Sequence, residues 1–75
     1  MMVTQNEEVL DYLKKHGTIT QLEALRELGI MRLASRISDL RKDGNAISRQ
    51  MIEVRARNGR KAHVAQYSLK ENEND

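Results

Sequence analysis

At Gly44 the spacing of apolar residues along this chain changes from about 3.6 to 2, the periods of a helix and of a strand. Before it, Ile30, Leu33, Ile37 and Leu40 follow one another at intervals of 3, 4 and 3. That spacing places all four on one helix face. After it, Ile52, Val54 and Ala56 alternate with Glu53, Arg55 and Arg57, and His63, Ala65, Tyr67 and Leu69 alternate with Val64, Gln66 and Ser68. Between these two runs lies Asn58-Gly59, the favoured pair for a two-residue type I′ hairpin turn. Such a turn sets Arg57 opposite Arg60, Arg55 opposite Ala62, Val54 opposite His63 and Ile52 opposite Ala65. One face of the hairpin is then apolar. The chain must therefore combine helices in its first part with an antiparallel hairpin in its second, an α+β fold.

Two further helices precede the Ile30–Leu40 stripe. Thr4-Gln5-Asn6-Glu7 and Thr20-Gln21-Leu22-Glu23 are both capping boxes, in which a threonine hydroxyl and a glutamate carboxylate each satisfy an end of the same helix. Val9, Leu10 and Leu13 follow the first box at helical spacing, with Val3 placed to staple onto the first turn. Lys14-Lys15-His16-Gly17 closes that helix, because cations suit its negative end and glycine tolerates a left-handed cap. Thr18-Ile19 reads as a short extended piece. Leu22, Leu25 and Leu28 carry an apolar stripe from the second box to Gly29. Met31 and Met51 are expected in the core or at a partner contact.

The size of the chain limits what these elements can do. Its 75 residues allow one small domain, here residues 1–69, with a polar tail at 70–75 expected to be disordered. Leu, Ile and Val number 17, and Phe and Trp are absent, so the core is small. A domain of this size buries only about 60% of the surface of its unfolded chain. With no cysteine, disulfides, thiolate metal sites and cysteine nucleophiles are excluded. No apolar run reaches the roughly 18 to 20 residues of a membrane span, and the N-terminus is no signal peptide. A soluble, cytoplasmic protein with no membrane partner is expected.

Enzyme chemistry finds no residues to carry it. His16 and His63 are the only histidines; the first reads as a helix-end cation and the second as a hairpin side chain. The four glycines fall at element ends, not in a phosphate-binding loop. No spacing brings two carboxylates together for acid–base work. We therefore expect no catalytic residue, no metal and no cofactor. With two tyrosines as the only aromatic residues, a stacking platform for single strands is also disfavoured.

Charge, by contrast, is concentrated. Residues 1–31 carry net −2 and residues 62–75 net −2, whereas residues 32–61 set nine cations against three acids, net +6. Seven of those nine are arginines, whose planar fork suits phosphates and base edges. A solvated, salt-bridged surface would be the ordinary reading of a charged run. A basic stretch between two acidic ones favours a face for a polyanion. The cations at the hairpin tip, Arg55, Arg57, Arg60 and Lys61, repel one another and gain little from folding alone.

Three helices with a tight Gly29 turn between the second and third, then a basic hairpin, follow the order of a winged helix-turn-helix: three helices and a two-stranded β-hairpin wing. Leu22-x-x-Leu25-x-x-Leu28-Gly29-Ile30, followed by Ser35-Arg36-Ile37-x-x-Leu40-x-x-x-Gly44-x-x-Ile47, resembles winged-helix repressor domains. Over residues 5–69 the chain resembles the small phage- and prophage-associated helix-turn-helix domain family, in which a stretch like Leu33-Ala34-Ser35-Arg36-Ile37-Ser38-Asp39-Leu40-Arg41 leads into a basic wing. The resemblance implies a sequence-specific binder of double-stranded DNA that regulates transcription in a bacterial or phage-infected cell. Such families often begin the recognition helix with Ser or Thr. Met31 stands there and cannot cap, so the third helix need not start where the family's does.

Residue types then assign candidate contacts. Ser35 and Lys42 point away from the buried stripe, flanked by Met31, Arg32, Ser38 and Asp39. Arg32 and Arg36 can fork onto guanine O6 and N7 or hold a phosphate, and Ser35 is short enough for close approach. Asp39 either accepts from cytosine N4 or pairs within the helix with Arg36 or Lys42; the pair is favoured, because a carboxylate near phosphates needs a cation. Lys42 and the wing cations suit phosphates, which position without specifying sequence. Thr20 and Gln21, at the start of the second helix, are a candidate phosphate clamp. One domain offers a small footprint, so a homodimer on DNA is expected. The alternatives are a winged helix that contacts a protein partner, within host machinery or a larger complex, and a sequence-tolerant binder of duplex shape.

Overall fold

The computed structural model describes residues 4–70. In chain order they form α1 (Gln5–His16), β1 (Thr18–Thr20), α2 (Gln21–Glu23), which continues as a π-helical turn (Ala24–Leu28), α3 (Leu33–Lys42), β2 (Ile47–Arg55) and β3 (Lys61–Leu69). Three helical segments followed by a hairpin agree with the expected fold class. The proposed Val3 staple and the tail after Lys70 lie outside the described residues.

Both capping boxes form. The Thr4 and Thr20 hydroxyls accept from the Glu7 and Glu23 amides at 3.1 and 3.3 Å. The Thr4 and Thr20 amides donate to the glutamate carboxylates at 3.0 and 2.9 Å. Gly17, at φ +89°, ends α1 with its amide on the Leu13 carbonyl at 2.8 Å. All four residues of the 3–4–3 stripe are buried, but only Leu33, Ile37 and Leu40 lie on α3; Ile30 sits in the turn before it. All four meet Val9 and Leu13 from α1, Ile19 from β1, Ala24, Ile47 from β2 and Tyr67 from β3 in one core.

The second helix departs from expectation. Its buried residue is Ala24, with Leu28 half-buried, while Leu22 and Leu25 are 60% and 47% exposed. A small side chain lets this helix lie close to α1, and the wider π-helical turn breaks the three-residue repeat that would align the leucines. The stripe seen in the sequence is therefore not the packed face. Met31 and Met51 are likewise exposed and outside the core.

The strands form one antiparallel sheet in the order β1–β3–β2. The extended piece Thr18–Thr20 is its edge strand, with Ile19 opposite Tyr67 and both buried. The hairpin register differs by one residue from the one read from the sequence. Arg55 pairs with Lys61, Val54 with Ala62, Glu53 with His63 and Ile52 with Val64. A type I′ turn needs positive φ at both central residues, but here only Gly59 has it, at +84°. Instead the Gly59 amide donates to the Ala56 carbonyl at 2.9 Å and the Ala56 amide to the Arg60 carbonyl at 2.8 Å. The loop thus has three residues, Arg57-Asn58-Gly59, the last left-handed. Asn58 Oδ1 accepts from the Arg60 amide at 2.9 Å.

A shift of one residue exchanges faces. Ile52, Val54, Ala62 and Val64 share one side of the wing, while Ile47, Met51, Ala65 and Tyr67 share the side that meets the core at the hairpin's base. Arg57 leaves the ladder for the loop and Arg60 faces Ala56, which removes the facing-arginine pair.

Candidate nucleic-acid interface

The third helix begins without a cap of its own. Arg32, at its N-cap position, makes no side-chain capping bond, and Met31 before it is 78% exposed. The Gln21 amide replaces that cap from the second helix. Its Oε1 accepts from the Leu33 amide at 2.9 Å, and its Nε2 donates to the Ile30 carbonyl at 2.8 Å. One side chain thus brackets the turn from Gly29 to Leu33, and this explains how α3 starts at Leu33 behind a methionine. Gln21, expected as a phosphate clamp, has both ends of its amide engaged inside the protein. The neighbouring Thr20 hydroxyl is the acceptor of the capping box.

Along α3, Ala34, Ser38, Arg41 and Lys42 are exposed, and Ser35, Arg36 and Asp39 are half-buried. The open strip is therefore not centred on Ser35, as the helical wheel implies. Arg36 Nη2 lies 3.3 Å from Asp39 Oδ2, the intrahelical pairing weighed for Asp39. Arg36 Nε is enclosed and has no hydrogen-bond partner. Arg36 is thus laid along the helix surface and must swing outward to reach a base. Arg41 Nε donates to the Ile47 carbonyl at 3.1 Å and ties α3 to the first residue of β2. Asn45 closes the helix, with its Nδ2 on the Leu40 carbonyl at 3.0 Å.

On the wing, Arg55, Arg57, Arg60 and Lys61 are all exposed. Lys61 Nζ lies 3.5 Å from Glu53 Oε2, a pairing that the shifted register allows. Among the described residues, Arg55, Arg57 and Arg60 carry no ion pair. A cleft of about 740 Å³ separates the wing from the starts of α2 and α3. Thr20, Gln21, Arg26 and Ala34 line one wall; Arg55 and Arg57 line the other, above a floor of Ile52, Val54 and Val64. Four candidate residues far apart in the chain, Thr20, Gln21, Arg55 and Arg57, therefore share one cleft. Arg32 precedes α3, Ser35, Arg36, Asp39 and Lys42 lie on it, and Arg60 and Lys61 stand at the hairpin tip.

Arg26 and Ala34 were not among the residues singled out from sequence. A helical wheel gives the direction of Ala34 and Ser38. It does not give which flank of α3 another element covers. The surface beside α1 has a different character. A second cleft, of about 770 Å³, runs between α1 and the π-helical turn and is lined by Glu7, Glu8, Asp11 and Glu27 together with Lys14 and Lys15. There Tyr12 stacks at 4.3 Å on His16. Partial burial raises the Tyr12 phenol above its usual pKa, with Glu23 and Glu27 adding to the rise and Arg26 opposing it.

No helix among the described residues is long and apolar enough to cross a membrane. No curated protein sequence matches the chain. A family model described as a winged helix-turn-helix domain matches residues 4–72, nearly the whole length and every element described above. The chain belongs to the winged helix-turn-helix domain family.

Proposed function

We propose that this chain binds double-stranded DNA in a sequence-dependent way and acts as a transcriptional regulator of a phage or other mobile element. In this reading α3 enters the major groove and the wing lies on the backbone or in the minor groove. The observation that carries it is the convergence of Arg55 and Arg57 of the wing with the start of α3 across one cleft. Arginines that fold without partners at the tip gain theirs when phosphates arrive. Arg32 and Arg36 are the candidates for guanine edges, with Ser35 beside them and Asp39 holding Arg36 until it is needed. Lys42, Arg60 and Lys61 suit phosphates; Lys61 exchanges Glu53 for one. Thr20 contributes through its hydroxyl and Gln21 through the turn it braces. Two copies on adjacent half-sites would supply the specificity that one small footprint lacks.

Titration of a random-sequence duplex over a salt series tests this reading. Four to six phosphate contacts give a log–log slope near −4 to −5, from about −0.9 per phosphate neutralised. A flat response removes the DNA reading. It would favour the second one, a protein-contact role, for which the exposed Leu22 and Leu25 supply an apolar strip on the second helix.

A further inference from the structure

We infer that Gln21 is a positioning residue for sequence discrimination, setting the angle at which α3 is presented without itself touching DNA. The inference rests on the DNA-binding reading above and assigns Gln21 a role other than phosphate contact. The helix-turn-helix unit works only if its last helix leaves the turn in a fixed direction. Many helix starts are held locally by the helix's own cap, whose side chain accepts from the first free amides. Here the cap position is Arg32, with backbone angles of −120° and 68° and no capping bond, and the residue before it is methionine. No capping bond from the turn's own side chains therefore fixes the direction in which α3 begins.

Gln21 supplies both missing constraints. It accepts from the amide of Leu33, the first residue of α3, and donates to the carbonyl of Ile30, the buried residue that follows Gly29 in the turn. Its backbone is held in turn by the Thr20–Glu23 capping box on either side. The chain of constraint runs from that box, through one amide, to the N-terminus of α3. Glutamine suits this place because a single side chain must accept and donate at once. Glutamate accepts but does not donate, and alanine does neither. Gly29, at φ +69°, lets the chain reverse but leaves its exit angle to be fixed by something else. With the amide gone, Ile30 and Leu33 still anchor the turn in the core, so the fold survives. What is lost is the precision with which Arg32, Ser35 and Arg36 meet a base edge.

The test compares the full chain with Gln21→Ala and Gln21→Glu. Each is titrated against a duplex selected by the parent chain from a random pool and against a random-sequence duplex, and Leu33 amide exchange is followed by NMR. Gln21→Ala should lose Leu33 protection and reduce the preference for the selected duplex about five- to tenfold, the worth of roughly one hydrogen bond. Its affinity for the random duplex and its salt slope should stay at the parent's values. Gln21→Glu should regain part of the protection and part of the preference, while its added negative charge weakens binding to both duplexes. Equal losses on both duplexes in Gln21→Ala would mean that Gln21 touches the backbone, and would overturn the inference. So would an unchanged preference, or a Gln21→Glu preference no better than that of Gln21→Ala. If the parent itself binds neither duplex, the DNA-binding reading has failed, a result distinct from a parent and variant that discriminate equally.

Discussion

The two ends of the hairpin are built from the same pair of strands but are held by different forces. At the base, β3 is paired on both sides, Ile47 and Tyr67 are buried, Arg41 grips the Ile47 carbonyl, and the Lys70 amide donates to the Ala46 carbonyl at 2.8 Å. At the tip there is no third strand, every residue from Arg55 to Lys61 is exposed, and three arginines stand without ion pairs. The base carries stability and spends its cations on the fold. The tip contributes little to the fold and leaves Arg55, Arg57 and Arg60 free of ion pairs. A domain with so small a core can separate the two jobs only along the length of one hairpin. Changes at the base should therefore register in unfolding, and changes at the tip in salt-dependent binding.

The largest effect should come from the base. Tyr67→Ala removes an aromatic side chain from a core of ten buried residues. Truncations of this kind cost about 3–5 kcal/mol, a large share of what a small domain has. The urea midpoint should fall steeply. A midpoint close to the parent's would show that the hairpin base is not part of the cooperative unit, and the contrast would break.

Next in size is α3, which lies between the two ends. Arg36→Ala should cost about 1–3 kcal/mol on a preferred duplex and much less on a random one. Stability should change little, because the half-exposed Asp39 pair is worth only about 0.3–0.5 kcal/mol and the enclosed Nε has no bond to lose. Asp39→Asn sharpens the point. Releasing Arg36 should raise affinity for random duplex and narrow the gap between the two. Titrations of both duplexes with both variants decide it.

What could be read from the sequence was what depends on near neighbours. The capping boxes close over three residues, and Leu33, Ile37 and Leu40 lie on a single helix with Ile30 just before it, so both were plain in the order of residues. The hairpin was legible as a hairpin, but its register hung on whether Asn58 takes a positive φ, and Asn-Gly serves a two-residue or a three-residue loop equally well. The third strand was hidden because Ile19 finds its partner in Tyr67, at the other end of the chain. The leucine stripe of the second helix misled because a small residue, Ala24, allows closer packing than Leu22 or Leu25. The site followed the same rule. The basic middle stretch was visible in the charge pattern. The Gln21 bridge, made to residues nine and twelve positions away, and the flank that α3 leaves open both depend on tertiary packing.

At the tip the balance should reverse. Replacing Arg57 and Arg60 together with Ala should leave stability within about 0.5 kcal/mol, as is usual for exposed sites. The same change should flatten the salt slope by roughly one to two units and weaken every duplex by a similar factor. A wing variant that also lost its preference among duplexes would mean that the tip reads minor-groove width. The division between a reading helix and a gripping wing would then fall, while the contrast between base and tip would stand.

The smallest effect belongs to the flank of α1, where two carboxylates outweigh one arginine around the titrating group. Tyr12 is half-buried beside Glu23 and Glu27, and its phenol titrates above the ordinary value of 10.0, first through burial and then through those two charges. Below pH 10 the phenol is protonated in both folded and unfolded chains, so it adds no pH dependence there. Above it the unfolded chain releases the proton first and the folded chain retains it. Stability must then fall as pH rises from about 10 towards the folded value. Tyr12→Phe should remove that part of the decline and leave the neutral-pH midpoint nearly unchanged. Glu27→Gln should shrink it, and Arg26→Ala should enlarge it by removing the one opposing charge. Urea midpoints measured between pH 8 and about 11 for the four chains would show whether this flank responds to pH independently of the cationic wing.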